Sequence, residues 1–342
     1  MGLVSNASTQ RFAQSLRLAR LGQLLALYCV LAGAINTASA QFGELATEGQ
    51  AVKLGAETKQ RFEVGMVVTT SGGECTGIVA TTPIPIDWPE QTVEVVKEDV
   101  SEWVRRVTYR DVGGTVKQMV VNVPQIPAGE TMRCVTTFEI VRRQIIAPDE
   151  TSHFVIPIKP DRIAKLSLVP SLKIESRDPK IVKLAKEITE EKETAWEKVE
   201  AIYDWVRDHV KYQNGPLKGA LQALKDETGD CEELSSLFIA MCRAINVPAR
   251  TVWVPGHCYP EFYLEDGEGK GHWFPCQAAG TRSFGGIDEK RAILQKGDNF
   301  AVPESPKKKM RYVSEFLKGD GGQPQVQWVR QGAPMPAPGA AP

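Results

Sequence analysis

The stretch "TGDCEELSSLFIAMCRAINVPART" (residues 228–251) contains two cysteines on what its apolar spacing predicts to be one helix. Cys231 lies at the predicted N-terminus of this helix, where unpaired backbone N–H groups and the helix dipole stabilise a thiolate or an oxyanion. Cys242 lies about three turns and ~16 Å further along, too far for a disulfide with Cys231. Its neighbours are apolar, so Cys242 is predicted to be a packing residue. Cys231 is therefore the candidate nucleophile.

Motifs on both sides of this cysteine follow one another in a characteristic order. Gly229 and Cys231 start the helix, and "VPAR" (residues 247–250) leads from the helix end into a strand. A strand containing "HCYPEFY" (residues 257–263) comes next, and "WFPCQ" (residues 273–277) lies on the strand after it. Together these motifs resemble the transglutaminase-like superfamily, whose catalytic core is papain-like. The resemblance covers residues 170–279 and implies that a cysteine and a histidine act together.

Within this resemblance, His257 matches the catalytic histidine, and Gln277 stands where the family pattern has an aspartate. In such a set the cysteine attacks as a thiolate, the histidine accepts and returns the proton, and the third residue orients the imidazole ring. Gln277 can accept a hydrogen bond from the ring, but a neutral amide cannot stabilise an imidazolium electrostatically. The resemblance thus implies a catalytic set of Cys231, His257 and Gln277, with Gln277 as the departure from the pattern.

Two residues near Cys231 are weaker, supporting candidates. Tyr212, upstream of the helix, is a candidate for placing a backbone or hydroxyl group near an oxyanion, and a core tyrosine is an equal alternative. Asp230 and Glu232 flank the cysteine and would oppose a thiolate, unless they are solvated charges of the first helical turn. This chemistry requires neither a metal nor an organic cofactor, and the sequence contains no EF-hand-like loop.

The hairpin that carries His257 and Gln277 has a predicted strand register. If these two residues lie opposite each other, paired residue numbers sum to 534, and Cys258 then faces Cys276 on the other side of the hairpin. Directly opposed cysteines are close to disulfide geometry, so a cross-strand disulfide is predicted there. A zinc site that combines these cysteines with His272 is a weaker alternative, because it has three ligands and no CxxC pair.

The chain before this region has a different pattern. Between residues 62 and 168, β-branched runs such as "RFEVGMVVTT" and "VKQMVVNVPQI" alternate with Gly, Pro and Asp clusters. This spacing predicts an antiparallel β-sandwich domain over residues 45–168. Cys75 and Cys134 are the cysteines of this segment. A structural disulfide between them is the favoured prediction, and two buried free thiols are the alternative.

From residue 170 the spacing becomes helical. Asp178 and Pro179 mark one helix start, and Thr194 precedes a second helix with aromatic residues on its buried face. The predicted fold class is α+β, with a papain-like, transglutaminase-like core over residues 170–302 preceded by the antiparallel β-sandwich domain. Residues 303–342 are rich in Pro, Gly and Ala towards the end and are predicted to form a mobile tail.

The N-terminus predicts where the protein acts. Three arginines precede an apolar run over residues 21–35, which ends in "ASA" at 38–40, the pattern of a bacterial-type export signal over residues 1–40. An uncleaved anchor is the alternative, but the run is shorter than the roughly 20 residues that span a bilayer. We expect a periplasmic or extracellular protein, with no stable membrane span after signal removal, in a compartment where disulfides persist.

Composition and charge fit this class of protein. The 342 residues are 42% hydrophobic with a formal net charge of −1, which supports two domain cores and argues against a nucleic-acid partner. The expected function is thiol-dependent acyl transfer or hydrolysis on peptide or glutamine-type amides through a thioester on Cys231, with a protein or peptide substrate. The alternative is a catalytically degenerate transglutaminase-like module that acts as a cell-surface binding or structural protein, and Gln277 is its main support.

Overall fold

The computed structural model describes residues 52–333 and residue 335, so the predicted signal peptide lies outside the described residues. The first part of the described chain is entirely β-structure. Among the described residues, no helix combines the length and apolarity needed to cross a bilayer. The strands of the first part are β1 (Lys53–Thr70), β2 (Cys75–Ile84), β3 (Gln91–Val100), β4 (Arg106–Val112), β5 (Val116–Ile126) and β6 (Thr131–Ile146).

The second part alternates between helices and strands and ends in two strands. Its elements, in chain order, are α1 (Arg162–Leu166), α2 (Pro179–Thr189), α3 (Ala195–His209), β7 (Lys211–Tyr212), α4 (Ala220–Asp226), β8 (Thr228–Gly229), α5 (Cys231–Ala244), β9 (Ala249–Val254), β10 (His257–Glu265), β11 (Gly271–Pro275), β12 (Gln295–Lys296), β13 (Phe316–Gly321) and β14 (Pro324–Ala333). The predicted helix starts are confirmed, since Asp178 and Thr194 are the N-caps of α2 and α3.

The early strands form two antiparallel four-stranded sheets, with the orders β14-β1-β6-β3 and β13-β2-β5-β4. Phe62, Val64 and Met66 of β1 are buried in alternation, because successive side chains of a strand point to opposite faces. The two sheets meet where the Thr136 hydroxyl of β6 lies 3.9 Å from the Met119 sulfur of β5. With the helical core that follows, this architecture confirms the α+β fold class.

Strands β13 and β14 correct the predicted C-terminal tail. Strand β14 pairs with β1 over ten residues on each side, and β13 pairs with β2. Both strands therefore cover sheet edges, whose unpaired backbone groups would otherwise be exposed. The Pro/Gly/Ala composition misled the prediction because pairing depends on distant strands, which local composition does not report. The chain thus returns to the two early sheets after the helical part, and residues 316–333 contain two strands.

The two cysteines of the β domain are buried free thiols, so the predicted disulfide between them is wrong. Cys75 lies on β2 and Cys134 on β6, which belong to different sheets. Burial raises the pKa of both thiols, and that of Cys134 reaches about 12. These cysteines therefore act as small apolar residues, as the alternative prediction held.

One buried hydrophobic cluster joins a four-stranded antiparallel sheet of order β11-β10-β9-β12 to four helices, α2 to α5. Aromatic rings fill this interface, with Trp196 of α3 edge-on to Phe262 of β10 and Phe274 of β11 at 5.5 and 5.1 Å between ring centroids. Helix α5 is the most deeply buried helix and lies against β10. This packing fixes the start of α5 beside the start of β10, and these are the elements on which Cys231 and His257 lie.

A buried ion cluster ties the core sheet to the β domain. The Lys296 ammonium lies 2.8 Å from Glu90, just before β3, and 2.7 Å from Glu261 of β10. The Arg250 guanidinium of β9 pairs with the same Glu261 at 2.9 Å. All four side chains are almost completely buried, so each charge depends on its partners. The middle of β10 is therefore held by ionic contacts, four residues beyond His257.

Candidate active site

The start of α5 is built by a capping box. The Asp230 carboxylate accepts a hydrogen bond from the Glu232 N–H at 2.8 Å, and the Glu233 carboxylate accepts one from the Asp230 N–H at 3.3 Å. Gly229 is required before this turn, because a Cβ there would lie 2.4 Å from the Glu233 Cβ. Cys231 is thereby held at the first helical position, where its backbone N–H has no intrahelical acceptor. The predicted helix start is confirmed.

His257 lies at the start of β10, after a tight turn from β9. Gly256 has a φ of 69°, which favours glycine, and the turn brings Val254 and His257 opposite each other. The His257 Nε2–H donates to the Gln277 Oε1 at 2.9 Å, since an amide oxygen can only accept. Nδ1 is left to hydrogen-bond with Cys231. The three residues implied by the resemblance thus lie together.

Gln277 is positioned by its backbone from two sides. Its N–H donates to the Ser283 carbonyl at 2.8 Å, and its carbonyl accepts from the Tyr203 hydroxyl and from Arg207 of α3, both at 2.9 Å. Tyr203 was predicted only as a core residue of α3. Its helical spacing predicted its burial correctly, but nothing in that spacing indicates that its hydroxyl holds the segment carrying Gln277.

The observed hairpin register differs from the predicted one by two residues. Glu261 pairs with Pro275, so paired numbers sum to 536 instead of 534. Strand β11 ends at Pro275, and the following Cys276 bridges to Phe284. Because the chain turns away there, the predicted pairing opposite His257 does not form.

Cys258 belongs to the site, and its predicted disulfide with Cys276 is wrong. Both thiols are free, and the Cys276 sulfur lies 3.8 Å from the Pro260 carbonyl oxygen. The Cys258 sulfur instead lies 3.5 Å from the Cys231 carbonyl oxygen and 3.9 Å from the Ser235 hydroxyl of α5. The zinc alternative fails as well, because Cys258, His272 and Cys276 have separate partners.

The surroundings of Cys231 favour its thiolate. A hydrogen bond from the Cys258 thiol is the largest cause that lowers the pKa of Cys231 to about 4, with His257 and the Cys258 backbone N–H adding to it against the effect of burial. The pKa of Cys258 is raised well above its usual range, above all by this contact, so Cys258 keeps its proton as the donor. Burial lowers the pKa of His257, but hydrogen bonds with Cys231 and Gln277 raise it above its ordinary value. A thiolate–imidazolium pair follows.

The supporting candidates also lie beside Cys231. Tyr212 is 57% exposed, so the core alternative is wrong for this residue. Its strand β7 pairs with β8, which places Tyr212 opposite Gly229, and its hydroxyl lies 3.1 Å from the Asn214 Oδ1. Burial and the contact with Glu233 raise the pKa of Asp230 to about 6, so its carboxylate is mostly protonated and neutral below that pH.

A cavity of about 710 Å³ opens in front of Cys231 and His257. One wall is formed by the start of α5 and by Tyr212, and another by the turn between β9 and β10. The remaining wall comes from residues 308–314, which sequence analysis had assigned to the mobile tail. Glu232 forms an ion pair with Arg311 of this wall, so the charge that flanks the cysteine is compensated. The contribution of this wall to the site was not predicted. The sequence shows a basic run, "KKKMR" (residues 307–311), but its composition does not indicate where the run lies in the fold.

Residues 182–278 match the family model of the transglutaminase-like superfamily. The matched segment contains Cys231, His257 and Gln277, and the predicted resemblance is confirmed. The protein therefore contains a transglutaminase-like core, and this match supports a thiol-based catalytic module. No curated protein matches the sequence.

One solved structure shares the fold at low sequence identity. A proposed cysteine protease from Cytophaga hutchinsonii is 16% identical, with a TM-score of 0.51 over 82% of this chain and 95% of that chain. More distant are a proposed protease from Parabacteroides distasonis, 14% identical with a TM-score of 0.27 over 62% of this chain and 42% of that chain, and the periplasmic domain of TgpA from Pseudomonas aeruginosa, 12% identical with a TM-score of 0.32 over 68% of this chain and 93% of that chain.

Proposed function

We propose that the protein is an exported enzyme that cleaves or transfers peptide or glutamine-type amides through a thioester on Cys231. The observation that carries this proposal is the arrangement at the start of α5. There the Cys231 sulfur receives hydrogen bonds from His257 and Cys258, and the other nitrogen of His257 is held by Gln277 at 2.9 Å. A lowered cysteine pKa in a cleft with a histidine partner is typical of catalytic cysteines.

The proposed reaction has two halves. The Cys231 thiolate attacks the amide carbonyl carbon, and the tetrahedral oxyanion that results is stabilised by N–H groups at the helix start. The His257 imidazolium then donates its Nδ1 proton to the leaving nitrogen, the C–N bond breaks, and the amine departs. The acyl group remains bound to Cys231 as a thioester. Water or a second amine then attacks the thioester carbon, and His257 accepts its proton. The C–S bond breaks, a carboxylic acid or a new amide is released, and the thiolate is restored.

Gln277 holds the ring of His257 but supplies no charge to it. The Cys231 thiolate is instead the neighbouring charge that favours the protonated imidazole. This thiolate–imidazolium pair supports an active site even though an aspartate is missing at position 277. The neutral side chain also motivates the second candidate function, a degenerate module that binds proteins at the cell surface without chemistry.

Export is proposed from the N-terminal pattern alone, with residues 1–40 as signal peptide and a periplasmic or extracellular location for the rest. We also propose two domains after the signal peptide. The first is a β domain that includes strands β13 and β14, and the second is a core that includes residues 170–302. A protein or peptide substrate fits an open cavity of this size.

Trapping of the acyl-enzyme tests this proposal. The full chain is incubated with tryptic casein peptides and with a synthetic glutamine peptide that has neutral flanks, quenched in acid, and mapped by mass spectrometry. We expect acyl adducts on Cys231, and none in Cys231→Ala, while the matched control Cys242→Ala retains them. Alkylation of Cys231 by iodoacetamide without any acyl adduct or amine release would favour the binding module.

A further inference from the structure

The wall of residues 308–314 belongs to a longer segment, residues 303–315, which we call the strap. Its backbone is anchored at Met310 and at Val313. The Met310 backbone exchanges two hydrogen bonds with Phe300, at 2.6 and 2.8 Å. The Val313 backbone exchanges two with the buried Gln295 side chain, at 2.9 and 3.1 Å. Arg311 and Tyr312, which lie between these anchors, therefore have fixed positions in front of the site. Lys308 and Lys309 directly precede the Met310 anchor, and the Lys308 N–H donates to the Ser305 carbonyl at 3.2 Å.

Trp253 of β9 receives the strap's side chains. The Arg311 guanidinium lies 4.7 Å from the centre of the Trp253 ring, and the Tyr312 ring packs edge-on against it at 5.2 Å. Burial lowers the pKa of Arg311 to about 10, while the charges of Asp230 and Cys231 oppose that shift. Arg311 remains a cation at neutral pH, and its positive charge is compensated by the ion pair with Glu232.

Three further cations of the strap, Lys307, Lys308 and Lys309, have no such partner among the described residues, and two of them face the cavity. Lys308 and Lys309 line the cavity and are exposed, and no carboxylate among the described residues forms a salt bridge with either. The fourth cation of the lining, Arg330, is paired with Glu315. The side of the cavity opposite the start of α5 therefore presents two uncompensated ammonium groups to whatever occupies the space in front of Cys231.

We propose that Lys308 and Lys309 select acyl donors that carry Asp or Glu side chains within a few residues of the reacting amide. This inference rests on the proposed function and names its substrate class as acidic peptide segments. A carboxylate near two unpaired ammonium groups gains attraction at no cost to an existing ion pair. Because both lysines are exposed, the effect is moderate and falls with salt, about 3- to 10-fold for one carboxylate at low ionic strength.

Matched peptides test the proposal on the full chain. Two synthetic peptides share one reactive glutamine and differ only in flanking residues, Glu in one and uncharged Ser in the other, so that each peptide contains a single side-chain amide. We expect kcat/KM to be about 3- to 10-fold higher for the Glu-flanked peptide at low salt, mostly through KM. The ratio should fall to about one or below in Lys308→Glu/Lys309→Glu, and should persist in the matched control Lys97→Glu/Lys318→Glu, which reverses two exposed lysines of β3 and β13.

A binding measurement separates this inference from the proposed function. Fluorescence anisotropy of the same labelled peptides on Cys231→Ala reports selection without requiring turnover. Tighter binding of the Glu-flanked peptide, abolished by the double strap variant, supports the proposal even if no peptide is turned over. Equal binding and equal kcat/KM for the two peptides, or a preference that survives Lys308→Glu/Lys309→Glu, would overturn it.

Discussion

Cys231 and Cys242 lie near opposite ends of one helix, α5, and their sulfur atoms have opposite surroundings. Cys231 is partly exposed at the helix start, where hydrogen bonds from Cys258 and His257 lower its pKa to about 4. Cys242 is completely buried, and burial raises its pKa well above the usual range. One thiol is thus a thiolate at neutral pH, and the other is an apolar packing group.

This difference shows that a helix N-terminus is only part of what activates a cysteine. Two neighbouring residues of β10, His257 and Cys258, both contact Cys231, and β10 is held by its packing on α5 and by the buried ion cluster at Glu261. No comparable donor reaches Cys242, whose surroundings are the apolar core. The reactivity of Cys231 therefore comes from a contact between a helix and a strand, and variants that alter this contact should bring the two cysteines closer in behaviour.

Removal of each thiol should give the largest difference. Cys231→Ala should lower acyl transfer by about 1,000-fold or more, because the nucleophile is lost. Cys242→Ala should leave the rate unchanged and lower the free energy of unfolding by about 1 to 2 kcal/mol, because it opens a small cavity in the core. Steady-state kinetics and urea denaturation measure the two effects. Similar rate losses in both variants would show that the comparison is mistaken.

Removal of the histidine should have the next largest effect. His257→Gln deletes the group that pairs with the thiolate, so alkylation of Cys231 at pH 6 should slow by about 10- to 100-fold. Quantitative mass spectrometry of iodoacetamide-labelled peptides measures this rate. His209→Gln is the matched control, since His209 stacks on Trp205 at an exposed helix end. An unchanged alkylation rate in His257→Gln would mean that the histidine does not activate the cysteine.

The third residue should tune the rate in both directions. Gln277→Asp adds a charge beside the imidazolium, so it should raise the pKa of His257 and increase the rate of amide cleavage by about 10-fold. Gln277→Leu removes the acceptor and should lower the rate by a similar factor. The pH profile of kcat distinguishes these changes from a loss of structure. If Gln277→Asp left both the profile and the rate unchanged, the neutral side chain of Gln277 would not be what limits the rate of amide cleavage.

Cys258 should give the smallest effect of the series on the rate at neutral pH. Its contact is the largest cause of the lowered pKa of Cys231, but a pKa that rises moderately from about 4 still leaves the thiolate dominant at pH 7. Cys258→Ala removes the thiol that donates to Cys231, which should raise the pKa of Cys231 by about 1 to 2 units, as expected for a hydrogen bond to a charged group. Cys258→Ser restores a donor and should rescue most of the shift. The pKa of Cys231 is obtained from its alkylation rate as a function of pH in the wild type, Cys258→Ala and Cys258→Ser. A Cys258→Ala protein with the wild-type profile would show that the backbone and His257 suffice.

The sequence predicted the features that local chemistry determines. Asp178 before Pro179 and Thr194 cap helices as expected, because a cap depends on residues within one turn. Asp230 also caps its helix, a role that was not predicted, because it was considered only as a charge beside Cys231. The pairing of Cys231 with His257 required the family resemblance, since 26 residues separate them along the chain. The geometry then placed Gln277 where the resemblance implied.

The failed predictions all depended on long-range pairing. The hairpin register was fixed by an assumed contact between His257 and Gln277, but β11 ends at Pro275 and the register shifts by two residues. Cys258 contacts Cys231, although strand alternation predicted that it would lie on the opposite face of the hairpin from His257. Strand β14 pairs with β1 at the other end of the described chain, and the strap is held near the site by hydrogen bonds with Phe300 and Gln295.

The pH dependence of Cys231 alkylation tests the central claim most directly. Native protein is treated with iodoacetamide between pH 3 and pH 10, and the labelled fractions of Cys231 and Cys242 are quantified by mass spectrometry. Because only a thiolate reacts, the lowered pKa predicts that Cys231 is labelled with a midpoint near pH 4, and the buried Cys242 stays unlabelled throughout. A midpoint near the ordinary cysteine pKa of about 8.5 would contradict the account.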